Sequence, residues 1–110
     1  MKVPNAQNAE IADPKLTSYL LDHAHPQNQG KAAFYEIVGF TLRNSDDLRS
    51  ALLSHIVANE VVKVVNTDFC IRYVVEGSMS APNGKKYPIR SVWFVDNDSE
   101  LPKLVTAYPN

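Results

Sequence analysis

Near Asn59 the spacing of apolar residues changes from helical to alternating, and this switch limits the fold to helices first and a sheet second. Before it, Asp13-Pro14 marks a helix start: aspartate accepts from free first-turn amides, and proline fits where no amide partner is needed. Leu16, Tyr19 and Leu20 form an apolar stripe ending near His23. The polar run His23–Gly30 reads as a loop interrupted by Pro26. A second helix spans Lys31–Val38 with Phe34, Ile37 and Val38 inward, closed by Gly39. Asn44 or Ser45 caps a third, with Asp46 and Asp47 at its positive end and Leu48, Ala51, Leu52, His55 and Ile56 on its buried face.

After the switch, Val61–Val65 is a short β-branched strand. Phe69, Ile71, Tyr73 and Val75 alternate with Cys70, Arg72, Val74 and Glu76, the pattern of a half-buried strand. Pro82-Asn83-Gly84 is a hairpin turn. Tyr87–Val95 is the third strand, where Pro88 suggests an edge or a bulge, and Leu104–Tyr108 the fourth. Short turns between consecutive strands predict an α+β fold: two to three N-terminal helices on one face of a four-stranded antiparallel meander. A length of 110 residues fits a single domain, 1–110, with residues 1–9 a loosely held N-terminal arm.

Eleven Lys+Arg against 12 Asp+Glu give a net charge of −1, so phosphate backbones can be bound only by a local basic surface. The single cysteine, Cys70, cannot form an internal disulfide, and residues 1–10 carry no apolar leader run. No stretch is apolar enough for a membrane span, and the expected location is the cytoplasm.

The three histidines lack the spacing of a zinc site, so no metal or cofactor is expected. His25 sits in the loop, where a histidine can trade protons near neutral pH or simply be solvated. Lys31 opens a helix, whose backbone amides already favour an anion, or is a plain surface lysine. Arg72 and Arg90 lie in strands; Arg90, Val92 and Phe94 share a face opposite Ile89, Ser91, Trp93 and Val95. A face with Arg90 and Thr106 suits a phosphodiester, and equally a solvated surface where arginine pairs with glutamate.

These residues carry a resemblance. Val3-Pro4-Asn5-Ala6, Lys15-Leu16, Tyr19-Leu20-Leu21, His25-Pro26 followed by Lys31-Ala32, Tyr73-Val74-Val75-Glu76-Gly77, Arg90-Ser91-Val92-Trp93 and Leu104-Val105-Thr106-Ala107-Tyr108-Pro109 resemble an uncharacterised family of bacterial domains of similar length. The ending is similar to the last strand of barnase-like and colicin-like endoribonuclease toxins. The resemblance implies metal-independent cleavage of RNA, with His25 as acid or base, Lys31 and Arg90 on phosphate charge, and Thr106 as a hydrogen-bond donor. Trp93 or Tyr108 would stack on a base, and Arg72 would contact substrate. Where the family pattern reads His-Pro-x-Gly-Arg-x-Lys, this chain has Asn28 and Gln29, so one phosphate-binding cation is absent. The partners implied are RNA and a cognate inhibitor. The alternative is a non-catalytic protein-binding accessory module of a bacterial or phage gene cluster; a sheet-edge dimer is a third. A module without chemistry has no reason to gather His25, Lys31, Arg90 and Thr106 in one cleft.

Overall fold

A computed structural model describes all residues, 1–110. Helix α1 opens over Asp13–Lys15 and continues as a wider π-turn over Leu16–Leu20; α2 spans Lys31–Val38 and α3 Ser45–Ala58. Strands β1 (Glu60–Asn66), β2 (Cys70–Ser80), β3 (Lys86–Asp96) and β4 (Lys103–Pro109) form one antiparallel sheet in the order β1-β2-β3-β4. This is the expected α+β meander. No helix is long and apolar enough to cross a membrane.

One side of the sheet packs on the helices. Tyr73, Val75, Met79, Ile89, Trp93, Leu104 and Ala107 meet Leu16, Leu20, Tyr35, Val38, Leu48, Leu52 and Ile56 in one core. Alternation places Arg72, Val74 and Glu76 of β2 with Arg90, Val92 and Phe94 of β3 on the open face.

Several expectations need correction. Residues 1–9 do not hang loosely, because Val3 and Ala6 are buried in the core and a short 3₁₀ turn spans Ala6–Asn8. In α2 the inward residues are Ala32, Tyr35 and Val38, whereas Ile37 is 80% exposed. The stripe is rotated because the Tyr35 hydroxyl donates to the Ala107 carbonyl at 2.6 Å, which fixes that side against β4. Asp13 does not cap α1; its carboxylate pairs with Arg49. Asn44 gives α3 no side-chain cap, because its amide bridges the Thr41 N–H at 2.6 Å and the Gly39 carbonyl at 2.9 Å. Phe69 lies in the β1–β2 turn, 81% exposed. Pro88 marks no edge, since β3 pairs on both sides. Its missing N–H is tolerated because β4 pairing reaches only Ile89↔Pro109.

Candidate functional site

The β4 edge is closed from the helical half by a side chain and by backbone. Lys15 Nζ donates to the Val105 carbonyl at 3.1 Å, and the Glu10 backbone forms a parallel bridge beside Lys103, its carbonyl accepting from the Leu104 N–H at 3.2 Å. Register shifts between Val92 and Trp93: Thr106 faces Val92, Leu104 faces Trp93, and Val105 is the extra residue. Such a bulge re-aims its side chains. Here Val105 and Thr106 both line a cleft of about 520 Å³ between α1 and β4, together with Lys15, Tyr19, His25 and Gln27.

Tyr19 stands at the centre of this cleft. Its hydroxyl shares a hydrogen bond with Thr106 Oγ1 at 3.0 Å, and its ring meets the His25 ring edge-on at 5.0 Å. The ammonium groups of Lys15 and Lys31 lie 5.3 and 5.4 Å from its ring centroid. Partial burial pushes the Tyr19 hydroxyl up, but hydrogen bonds from Thr106 and Lys31 and the charges of Lys31 and Lys15 outweigh it, and hold it below 10.0. His25 Nδ1 accepts from the Gln27 amide at 3.1 Å, so in the neutral ring Nε2 carries the proton.

Lys31 also sits 5.7 Å from the Tyr108 ring and donates to the Gln27 carbonyl at 3.3 Å. A second depression of about 470 Å³ is lined by Gln29, Gly30, Lys31, Tyr108 and Pro109, and Lys31 reaches from it toward the Tyr19 ring. The loop before α2 is held by Asn28, which is buried. Its amide nitrogen donates to the Tyr19 and Leu20 carbonyls, and its oxygen accepts from the Ala32 N–H at 2.8 Å. One side chain thus ties the end of α1 to the start of α2 and sets where Tyr19 and Lys31 stand.

His25, Lys31 and Thr106 therefore gather around Tyr19, and Tyr108 stands on the far side of Lys31. Arg90 lies one strand away beside Tyr108, but its Nε and Nη2 donate to Glu76 Oε2 at 3.1 and 2.7 Å. That hydrogen bond, with help from the Tyr108 hydroxyl and the Glu76 charge, holds the guanidinium above its ordinary value. Arg72 stands on the open face opposite Phe94, outside the cleft. Trp93 is unavailable for stacking: it is 0% exposed, and its Nε1–H donates to Ser91 Oγ at 2.8 Å. Its odd-numbered place in β3 turns it to the helices.

Tyr19, Lys15 and Asn28 are the residues that sequence reasoning missed. Lys15 and Tyr19 are four apart on one helix face, which pairs them. Asn28 stood out only through the resemblance, and its anchoring role left no local mark, because its partners are carbonyls and amides of neighbouring segments. No three His, Cys, Asp or Glu residues come together as a metal site.

No curated protein matches this chain. Among solved structures, the fold is similar to a chain of a contact-dependent growth inhibition toxin–immunity protein complex from Klebsiella pneumoniae 342, at 16% identity and a TM-score of 0.71. The similarity covers 91% of this chain and 98% of that one. At this identity it shows a shared fold. The chain matches a family profile over residues 2–110, and it belongs to that family, the domain of unknown function DUF6883.

Proposed function

We propose that the α1–β4 cleft belongs to a toxin-like endoribonuclease that cleaves RNA without a metal. The observation that carries this reading is the convergence of His25, Lys31 and Thr106, from three separate segments, around one tyrosine. A phosphodiester seated there meets the ammonium groups of Lys15 and Lys31 and the Thr106 hydroxyl, which stabilise charge developing on phosphorus oxygens. His25, through Nε2, serves the leaving 5′-oxygen. Tyr108 offers a half-exposed ring for a base, and Arg72 a cation for the strand beyond. Arg90 acts on Tyr108 rather than on phosphate while Glu76 holds it. The fold shared with a chain of a toxin–immunity protein complex supports a toxin-related role, with an inhibitor protein as partner.

The test is cleavage of total RNA by the purified protein in EDTA, beside His25→Ala. The expected result is cleavage that survives the chelator and falls ~100-fold or more in the variant. Absence of cleavage at micromolar protein would sink the reading. The Arg90–Glu76 pair and the net charge of −1 favour a second reading, a binding module without chemistry. On that reading EDTA-resistant cleavage is absent, and a protein partner is the thing to find.

A further inference from the structure

We infer that Tyr19 takes the proton from the attacking hydroxyl in the α1–β4 cleft, an assignment that rests on the ribonuclease reading. Attack by a ribose 2′-oxygen needs two proton-handling groups, one for the nucleophile and one for the leaving oxygen. His25 supplies one. In the neutral ring its Nδ1 accepts from the Gln27 amide, so Nε2 is the nitrogen that faces substrate. No carboxylate and no second histidine lines the cleft. His23 is bound to Glu36 at 2.8 Å, and His55 is buried beneath α3.

The lysines are placed as charges. Lys15 Nζ is engaged by the Val105 carbonyl and Lys31 Nζ by the Gln27 carbonyl. Both flank the Tyr19 ring, and the Thr106 hydroxyl reaches the phenol oxygen at 3.0 Å. Two ammonium groups and a hydroxyl donor around one phenol favour its phenolate form, which agrees with the downward shift of that hydroxyl. The edge-on ring contact sets the second proton group beside the first.

Atoms and charge balance in the step. The Tyr19 phenolate oxygen takes the 2′-hydroxyl proton, and the 2′-oxygen forms a bond to phosphorus. The bond from phosphorus to the 5′-oxygen breaks, and that oxygen takes the Nε2 proton of the His25 imidazolium, the form in which Nδ1 is also protonated and has released the Gln27 amide. The products are a 2′,3′-cyclic phosphate and a 5′-hydroxyl, with Tyr19 a neutral phenol and His25 a neutral imidazole. Proton exchange with water restores both.

The experiment compares wild type, Tyr19→Phe and His25→Ala on one RNA across pH, with an ultraviolet phenolate titration of wild type and Tyr19→Phe alongside. Phenylalanine keeps the ring that His25 and the lysines pack on, and melting curves check that it folds. The expected result is a kcat reduced ~100-fold or more in Tyr19→Phe with little change in KM. The alkaline-going rise of kcat/KM is lost with it, and wild type shows an early-ionising tyrosine that the variant lacks. If Tyr19→Phe keeps its rate or its pH rise while His25→Ala is inactive, the Tyr19 assignment falls and the ribonuclease reading stands. The assignment falls in the same way if no tyrosine ionises early. If wild type cleaves nothing, both fall.

Discussion

At the scale of single residues, one buried amide sets the segment between His25 and Lys31. Asn28 fills a buried position and makes three hydrogen bonds between α1 and α2. Removing a buried amide leaves its partners unsatisfied, so Asn28→Ala should cost about 2–4 kcal/mol by urea denaturation. The variant should also weaken any activity, because Tyr19 and Lys31 lose their shared anchor. Gln29 stands at φ 55 and Gly30 at φ 87, a left-handed pair that lets the loop turn into α2.

His55 shows a second buried polar network. Nε2 faces the Gly77 and Ile89 carbonyls, both at 3.1 Å, so it carries the proton, while Nδ1 accepts from the Ser91 hydroxyl at 3.0 Å. Burial lowers its proton affinity, against the opposing pull of the Gly77 and Ile89 carbonyls, so the folded value lies below 6.5. The unfolded chain then binds more protons, and stability rises with pH. The His55 contribution is full above 6.5 and is lost as pH falls from there through the lower folded value. Denaturation midpoints between pH 8 and 5 should therefore fall toward acid, and His55→Gln should flatten that part of the dependence.

At the scale of elements, α3 is seated on β2 through a missing side chain. A Cβ built on Gly77 would stand 2.0 Å from Asn59 Oδ1, where Asn59 closes α3 by donating to the His55 carbonyl at 3.0 Å. Gly77→Ala should displace that amide and cost about 1–3 kcal/mol. Because the clash lies with one side chain, Asn59→Ala in the Gly77→Ala background should add less than it costs alone, and a double-mutant cycle reads the coupling. The two sheet edges also differ. β4 is covered by Glu10, Lys15 and Tyr35, which meet its Leu104 amide and its Val105 and Ala107 carbonyls. β1 ends the sheet with Val62, Val64 and Val65 exposed, guarded by a bulge between Val61 and Lys63 and by the lysine itself.

At the scale of the whole molecule, charge is local. The net charge is −1, while Lys15 and Lys31 flank one tyrosine. Few phosphates can be neutralised by such a site. On the ribonuclease reading, binding of single-stranded RNA to His25→Ala should therefore weaken only gently with salt, with a log–log slope of about −1.4 for two contacts. A slope beyond about −4 would move the binding surface onto the open sheet face instead. Fluorescence anisotropy across a salt series measures it.

The order of the elements, the meander and the assignment of β3 residues to two faces were legible in the sequence, because periodicity and turn residues are local properties. Asn83-Gly84 marks the hairpin by itself, since Gly84 takes φ 84. Local spacing does not say which side of an eight-residue helix meets the sheet, and only packing turned Tyr35 inward and Ile37 outward. It was likewise tertiary contact that buried Trp93, tied Arg90 to Glu76 and anchored Val3 and Ala6. The cleft depends most on that level. Tyr19 reads as one more apolar position in a helix until the Val105 bulge brings Thr106 to its hydroxyl, 87 residues along the chain.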